Sequence, residues 1–437
     1  MSEEDSHTTA THTHDQPTTT RRGALRGIGA AILGTAGGAA ALSANSEPVS
    51  AAAGEDAVLQ YYHTPWTEIT GNMSKVADAG YAAIQVPPPQ KSKLSWDDQD
   101  ENNHPPLGYQ PIDNDSFDSA FGTEAEYREM ISTAHQHGVE VYADIVLNHM
   151  AYIGDGEFDF PEFSRPDFHD CRSIDDWDDQ WQVENCDLLG LKDLEQESSY
   201  VRGELKEYMG KIADCGADGL RYDAAKHVPK WFWRDYANQW ADEFGLDYRV
   251  AEVFHSDLNY VEPYADTGMS VTDYPLYNAI QGAFSDGGSF TNLDGAGVVN
   301  QNPFAAQTFV ANHDSGFPQY TDLARAFVLT YEGYPRLYKA GLDDSYVNQL
   351  LWIRNNLCGG PAYTRYVDDD LYIYERYQNV LVGLNKTDQW RGEWVYTGWT
   401  DTTLKDYSGS AADETVNSDG WVQVWFPPKG YAAFAPY

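Results

Sequence analysis

The sequence predicts an α/β protein: a (β/α)8 TIM barrel, an inserted subdomain after strand 3, and a C-terminal antiparallel β-domain. Three observations carry this. Short apolar runs alternate with longer amphipathic ones eight times over about 300 residues, the pattern of parallel strands joined by helices. A Gly-rich phosphate loop, which a doubly wound open sheet would favour, is missing. From residue 361 the text changes to short alternating strands separated by turns.

The elements follow in order. Residues 58–62 read as a strand, 68–79 as a helix, and 82–86 as a strand stopped by Pro87-Pro88-Pro89. A polar loop runs to Asp118. Residues 124–137 form a helix closed by Gly138, and 139–147 a strand. The stretch 150–196 is irregular and aspartate-rich, too long for a plain loop and better read as a small inserted unit. Strands are then expected at 219–223, 248–253, 270–273, 306–311 and 334–338. Helices are expected at 199–215, 230–244, 258–264, 275–284, 322–331 and 346–357. The last region offers strands at 372–376, 380–384, 394–396, 421–426 and 432–435. The expected domains are 54–149 with 197–360 for the barrel, 150–196 for the insertion and 361–437 for the β-domain.

Composition narrows the partners. The chain of 437 residues has 68 acidic against 28 basic side chains, a formal net charge of −40. Nucleic acid and anionic membranes are therefore poor partners. The excess is spread along the chain and suits concentrated salt, where the Debye length falls to about 3 Å at 1 M. Aromatics reach 14%, which suits either stacking on sugar faces or core packing. Residues 1–53 read as a leader: Arg21-Arg22 precedes a Gly/Ala-rich apolar run, like a twin-arginine export signal, too short and small for a membrane span. The expectation is an exported, extracellular protein. In that compartment Cys171 and Cys186, close together in the insertion, can pair. Cys215 and Cys358 read as buried thiols, and no cysteine spacing suggests zinc.

Chemistry concentrates at the expected C-terminal strand ends, where barrels of this type carry their sites. Strand four ends Gly219-Leu220-Arg221-Tyr222-Asp223 and runs into Ala224-Ala225-Lys226-His227. Arg221 and Asp223 share a face because strand side chains alternate. A cation there would keep Asp223 ionised. Alone, this is as consistent with a buried pair holding a strand end as with a nucleophile. Strand three ends Asp144-Ile145-Val146-Leu147-Asn148-His149, strand five Ala251-Glu252-Val253, and strand seven Ala311-Asn312-His313-Asp314. Four such clusters in order are hard to explain as caps. Two carboxyls can act as nucleophile and acid when one is charged and the other protonated. Asp223 is the charged one on this reading, and Glu252, buried near two aspartates, the acid.

This set resembles the α-amylase family of glycoside hydrolases over nearly the whole chain after the leader. The stretch from Gln182 to Leu194, Gln-Val-Glu-Asn-Cys-Asp-Leu-Leu-Gly-Leu-Lys-Asp-Leu, is similar to the end of the inserted domain in animal-type members. The resemblance implies a Cys171–Cys186 disulfide and catalytic Asp223, Glu252 and Asp314. It implies sugar contacts from Tyr109 and Gln110 (in Leu107-Gly108-Tyr109-Gln110-Pro111), His149, Arg221, Lys226, His227 and His313. It also implies a calcium site from Asn148, Asp193 and the backbone carbonyls of Glu184 and His227, with Asp187 as a substitute; hard oxygens suit that ion. A chloride site in some members uses residues that match Arg221, Asn312 and Arg336; the rival for Arg336 is a structural ion pair. The implied protein is a monomeric, salt-adapted, endo-acting enzyme cutting α-1,4-glucosidic bonds of starch with retention. A maltogenic exo-enzyme or transglycosylase, or an inactive sugar-binding protein on the same barrel, are the alternatives.

Overall fold

Eight parallel strands close into a barrel in the computed structural model, which describes residues 57–100 and 104–437. They are β1 (Val58–Gln60), β2 (Ala83–Val86), β3 (Glu140–Ile145), β4 (Gly219–Tyr222), β5 (Tyr248–Ala251), β6 (Ser270–Thr272), β7 (Ala306–Phe309) and β8 (Tyr334–Tyr338). Each pairs with its sequence neighbours, and β1 pairs with β8 to close the ring. The arginine pair of the leader lies outside the described residues.

The helices between the strands bury one stripe each, as their periodicity dictates. In α1 (Trp66–Ala79) the stripe is Trp66, Ile69, Met73, Val76 and Ala79. α2 (Glu124–Gln136) starts at a reciprocal cap: Thr123 accepts from the Glu126 N–H while Glu126 accepts from the Thr123 N–H. α3 (Ser199–Asp214) leads into β4. The helix expected over 230–244 is present but carries a π-helical turn, Trp233–Ala237, in its middle. Among the described residues no helix is long and apolar enough to cross a membrane.

Inside the barrel, alternate residues form layers. A lower layer holds Val58, Ala83, Tyr142, Tyr248 and Tyr334. Gly219 sits beside them because a Cβ there would lie 2.5 Å from the Tyr248 carbonyl and 2.9 Å from the Tyr142 ring. Two residues further along β1, β2, β3, β4 and β8 the interior turns polar and charged, with Gln60, Gln85, Asp144, Arg221 and Arg336 all buried, while β5 keeps an apolar residue there, Val250. This period of two aims the charged groups at the C-terminal rim.

Two local features depart from the sequence reading. The expected strand 139–147 ends at Ile145; beyond it His149–Met150 pairs antiparallel with Lys192–Asp193, so the end of the insertion is stitched to the segment that opens it. The polar loop after β2 contains a small antiparallel pair, Lys91–Ser92 with Pro111–Asp113, which holds the Tyr109 segment.

The C-terminal region has eight strands, three more than expected: β9 (Ala362–Val367), β10 (Leu371–Arg376), β11 (Val380–Asn385), β12 (Arg391–Tyr396), β13 (Thr402–Asp406), β14 (Glu414–Val416), β15 (Trp421–Phe426) and β16 (Gly430–Pro436). Six form one antiparallel sheet in the order β9-β10-β11-β16-β13-β14, and β12 pairs with β15. The three additional strands, β9, β13 and β14, carry exposed polar residues, so they lack the clean apolar alternation that marks a strand in sequence. Leu371, Ile373, Val395, Val424, Phe426 and Phe434 are among the residues of their common core.

Candidate active site

One buried guanidinium organises the rim. Arg221 is 1% exposed. Its Nη1 donates to both Asp144 oxygens (2.8 and 3.0 Å) and to Asp223 Oδ1 (2.7 Å), and its Nη2 lies 2.6 Å from Glu252 Oε1. The expected pairing of Arg221 with Asp223 is therefore present, with two further carboxylates from β3 and the end of β5. Glu252 also accepts from the Ala224 N–H (3.2 Å) and the Tyr274 hydroxyl (3.3 Å). Ala224 takes a left-handed backbone (φ 49°), a conformation that costs energy for a residue with a Cβ and that turns its N–H toward Glu252.

The charge balance differs from the sequence reading. Burial alone would raise Glu252, but Arg221, the Ala224 N–H, Arg336 and the Tyr274 hydroxyl together carry it below the ordinary glutamate range. Burial drives Asp223 well above the aspartate range, opposed by Arg221 and reinforced by Glu252 and Asp144. The expectation had Glu252 raised and Asp223 held down. The reason for the reversal is geometric: Arg221 reaches Glu252 as closely as it reaches Asp223, and Glu252 has donors of its own. Asp314, 38% exposed, is pushed up to about 7 by burial and by Glu252.

The remaining site residues fall around this centre. Tyr109 donates to Asp144 Oδ2 (2.7 Å), and its ring stacks on His313 at 5.2 Å. His313 is sandwiched against Tyr62 on its other side (4.6 Å), with Nδ1 on Gln60 (2.9 Å) and Nε2 on Asp314 Oδ2 (3.0 Å). His149 is 2% exposed and pairs with the Tyr109 carbonyl (3.1 Å) and the Asn148 amide (3.2 Å). Burial holds it down at about 4, so it stays neutral. Both its ring nitrogens thus face protein, where the sequence reading expected sugar contacts. Gln110 is half-buried, and its carbonyl accepts from the Lys93 N–H (2.9 Å). Lys226 donates to the Phe254 carbonyl (3.0 Å) and lies 5.4 Å from the Trp177 ring. His227 Nδ1 bonds the Val183 carbonyl (2.9 Å), and burial holds that ring also at about 4. Asp314, His313, Tyr62, Phe317, Tyr338 and Lys339 line an open cleft of about 420 Å³.

The residues expected to hold calcium converge in part. The Asn148 side-chain oxygen lies 2.9 Å from the His227 carbonyl and 3.2 Å from Asp193 Oδ1. Turning the amide over would let its N–H donate to both; in the present orientation the Asn148 oxygen sits beside two other oxygens, hard donors of the kind calcium takes. Among the described residues no group of three or more His, Cys, Asp or Glu side chains is arranged for a metal, so any such site leans on carbonyl oxygens. Glu184 was expected to offer its backbone carbonyl; its side chain accepts from the Gln180 amide (2.7 Å). Asp187 is turned to the Asp193 N–H (3.1 Å) and Lys192 (3.5 Å). Cys171 and Cys186 form the expected disulfide, and Cys215 and Cys358 are free and buried.

Arg336 is 1% exposed. Its Nη1 donates to Gln85 (3.0 Å), while its Nε and Nη2, and Nε of Arg221, lack a hydrogen-bond partner. Among the described residues it forms no ion pair, which removes the structural rival weighed for it. Burial and the nearby Arg221 lower its affinity for its own proton. Unpartnered buried N–H groups of two adjacent cations fit an anion. The Asn312 amide does not join them; it donates to the Tyr274 hydroxyl (2.8 Å). Asp144, Tyr274, Gln85 and Tyr62 were not anticipated as site residues. Asp144 stood in the strand-three motif two residues after Tyr142, and its inward alternation was the available signal.

Two family profiles match the chain: "Alpha amylase, catalytic domain" over residues 66–316 and "Alpha-amylase C-terminal" over 380–435. An α-amylase of Thermomonospora curvata is 29% identical over 384 residues, covering 78% of this chain and 60% of that protein. A β/α-amylase of Paenibacillus polymyxa is 29% identical over 84% of this chain and only 34% of its own length, so the chain spans less than two thirds of both. An α-amylase of Aeromonas hydrophila is 27% identical over 86% of this chain and 94% of its own. Among solved structures, an α-amylase from Malbranchea cinnamomea superposes with a TM-score of 0.76 at 20% identity, covering 87% of this chain and 96% of the other. With the catalytic-domain profile spanning more than half of it, this chain belongs to the alpha-amylase family.

Proposed function

We propose that the protein hydrolyses internal α-1,4-glucosidic bonds of starch and related α-glucans with retention of configuration. One observation carries this: Asp223 and Glu252 lie on adjacent nitrogens of a single buried guanidinium, side by side at the rim, with Asp314 at the adjoining cleft. Retaining glycosidases hold their two carboxyls close, at about 5–5.5 Å, without room for a water between them. In this reading Asp223 attacks the anomeric carbon and Glu252 protonates the leaving oxygen, then takes a proton from water to release the sugar. Asp314 binds ring hydroxyls. Tyr109 and His313 form a stacked floor.

The two carboxyls must exchange their resting bias for this cycle, with the proton on Glu252 and the charge on Asp223. The unpartnered nitrogens of Arg221 and Arg336 support a chloride at that point, which would supply a negative charge beside Glu252 and offset the two cations that hold it ionised. Arg221 is then free to favour Asp223. Asn148, Asp193 and the His227 carbonyl support a calcium ion that would tie the insertion to the strand ends. We read the acidic surface as adaptation to salt and the leader as a twin-arginine signal for export of a monomeric enzyme.

The test is proton NMR of the first product formed from a blocked maltooligosaccharide, with soluble starch viscosity followed alongside. The α-anomer and a rapid viscosity drop are expected. A β-anomer removes the assigned roles, a ladder of longer products points to transfer, and no cleavage at all ends the hydrolytic reading.

A further inference from the structure

The ribbon formed by β12 and β15 has two unequal faces. Val395, Val422, Val424 and Phe426 point into the core. The other face is aromatic and open: Trp394 is 57% exposed, Tyr396 52%, Trp421 44% and Trp425 43%. The strand register makes these four one surface. Tyr396 pairs with Trp421, Trp394 with Gln423, and Gly392 with Trp425. Cross-strand neighbours on one face touch, and the Tyr396 and Trp421 rings lie 5.9 Å apart.

Two glycines shape the surface. A Cβ on Gly392 would fall 2.6 Å from the Trp425 ring, so that ring lies across the bare backbone of the opposite strand. A Cβ on Gly420 would fall 2.8 Å from the Tyr396 ring, and Gly420 has φ +84° besides. Both rings are therefore laid down along the ribbon. Neither is needed for the core beneath.

We propose that this face is a second carbohydrate site, which takes a stretch of neutral α-glucan chain lying along the ribbon. The inference rests on the α-glucan reading of the rim but uses none of its residues. Sugar rings present C–H faces that stack on flat aromatics, and Gln423 between the rings offers the amide that their hydroxyls require. Same-face residues along a strand are about 7 Å apart, which places successive rings under an extended ligand.

Two features oppose a protein occupant. The four rings leave about 400 Å² open, taking roughly half of about 200 Å² each, against about 800 Å² per partner in a stable protein interface. At low ionic strength the net charge of −40 also sets a second copy against the first. A neutral polysaccharide meets neither obstacle.

The test uses the full chain. In a Glu252→Gln background, which spares the ligand, adsorption to starch granules is measured for the parent, for Trp394→Ala, and for Trp394→Ala/Trp425→Ala, with electrophoresis through glycogen-containing gels as a second readout. The double variant should bind at least tenfold more weakly and the single variant several-fold. Trp394 is the most exposed of the four, so its removal leaves folding untouched. In the active background, both variants should cleave a short blocked maltooligosaccharide at the parent rate. Granule binding equal to the parent in both variants overturns the proposal, as does a parent dimer in sedimentation that the double variant splits. A chain that cleaves no oligosaccharide yet still loses granule binding with the tryptophans leaves this site standing and sinks the rim reading instead.

Discussion

Replacing Arg221 by Met tests whether one guanidinium holds the site together. The change leaves Asp144, Asp223 and Glu252 buried without the cation that each contacts within 2.6–2.8 Å. Removing one partner from a buried ion pair costs about 3–5 kcal/mol. Three carboxylates lose a partner here, yet each can take up a proton, and that keeps the loss within this range. For a chain of this size a loss of that order lowers Tm by about 4–6 °C. The sign with pH follows from linkage. Without Arg221 the folded carboxyls have higher pKa values than the unfolded ones, so the folded variant binds the extra protons and its stability falls as pH rises. The deficit against wild type should be small near pH 4.5 and full by pH 8. Activity should fall by about 10²–10³. Calorimetry from pH 4.5 to 8 on wild type, Arg221→Met and Arg221→Met/Asp144→Asn provides the check, with the double variant recovering about 0.5–3 kcal/mol. An identical Tm deficit at pH 5 and pH 8 would refute the reasoning, because the lost residue would then be acting through its bulk and not its charge.

Four further outcomes are expected. In chloride, compared with sulfate of equal ionic strength, the alkaline limb of the activity profile should lie at higher pH, because an anion beside the arginines raises Glu252; Arg336→Gln should erase the difference. A calcium chelator should lower Tm, and Asn148→Ala should remove the chelator-sensitive part, with calcium binding followed directly by titration calorimetry. Replacing both Cys171 and Cys186 by Ser opens a loop with a sequence separation of 15, which should cost about 3 kcal/mol and expose the insertion to protease. Tm should climb between dilute buffer and molar NaCl at fixed calcium, since self-repulsion at net −40 is screened; a flat curve would set the acidic surface aside as a salt adaptation.

By itself the sequence determined whatever is local. The strand ends were legible because a strand alternates every two residues, and so Arg221 and Asp223 were bound to share a face and meet at 2.7 Å. The order of strands and helices implied the barrel, and the motif ends implied a rim carrying Asp223, Glu252 and Asp314. The resemblance also supplied Cys171 with Cys186, which the structure joins. Proximity between distant segments was decided only by the tertiary structure. Asp144 and Glu252 reach Arg221 from neighbouring strands, and that sharing, invisible in any one motif, reversed the expected bias of Asp223 and Glu252. His149 turned inward because the Tyr109 loop, a separate segment, brought a carbonyl within 3.1 Å. Arg336 lacks the ion pair that was its rival reading: among the described residues no carboxylate comes within bonding distance, although Glu252 and Asp144 feel its charge, and its guanidinium packs at 5.4 Å over Phe309. The aromatic face of β12 and β15 belongs to the same class. Trp394 and Trp425 are merely scattered aromatics in sequence, and a register pairing Gly392 with Trp425 makes them one surface.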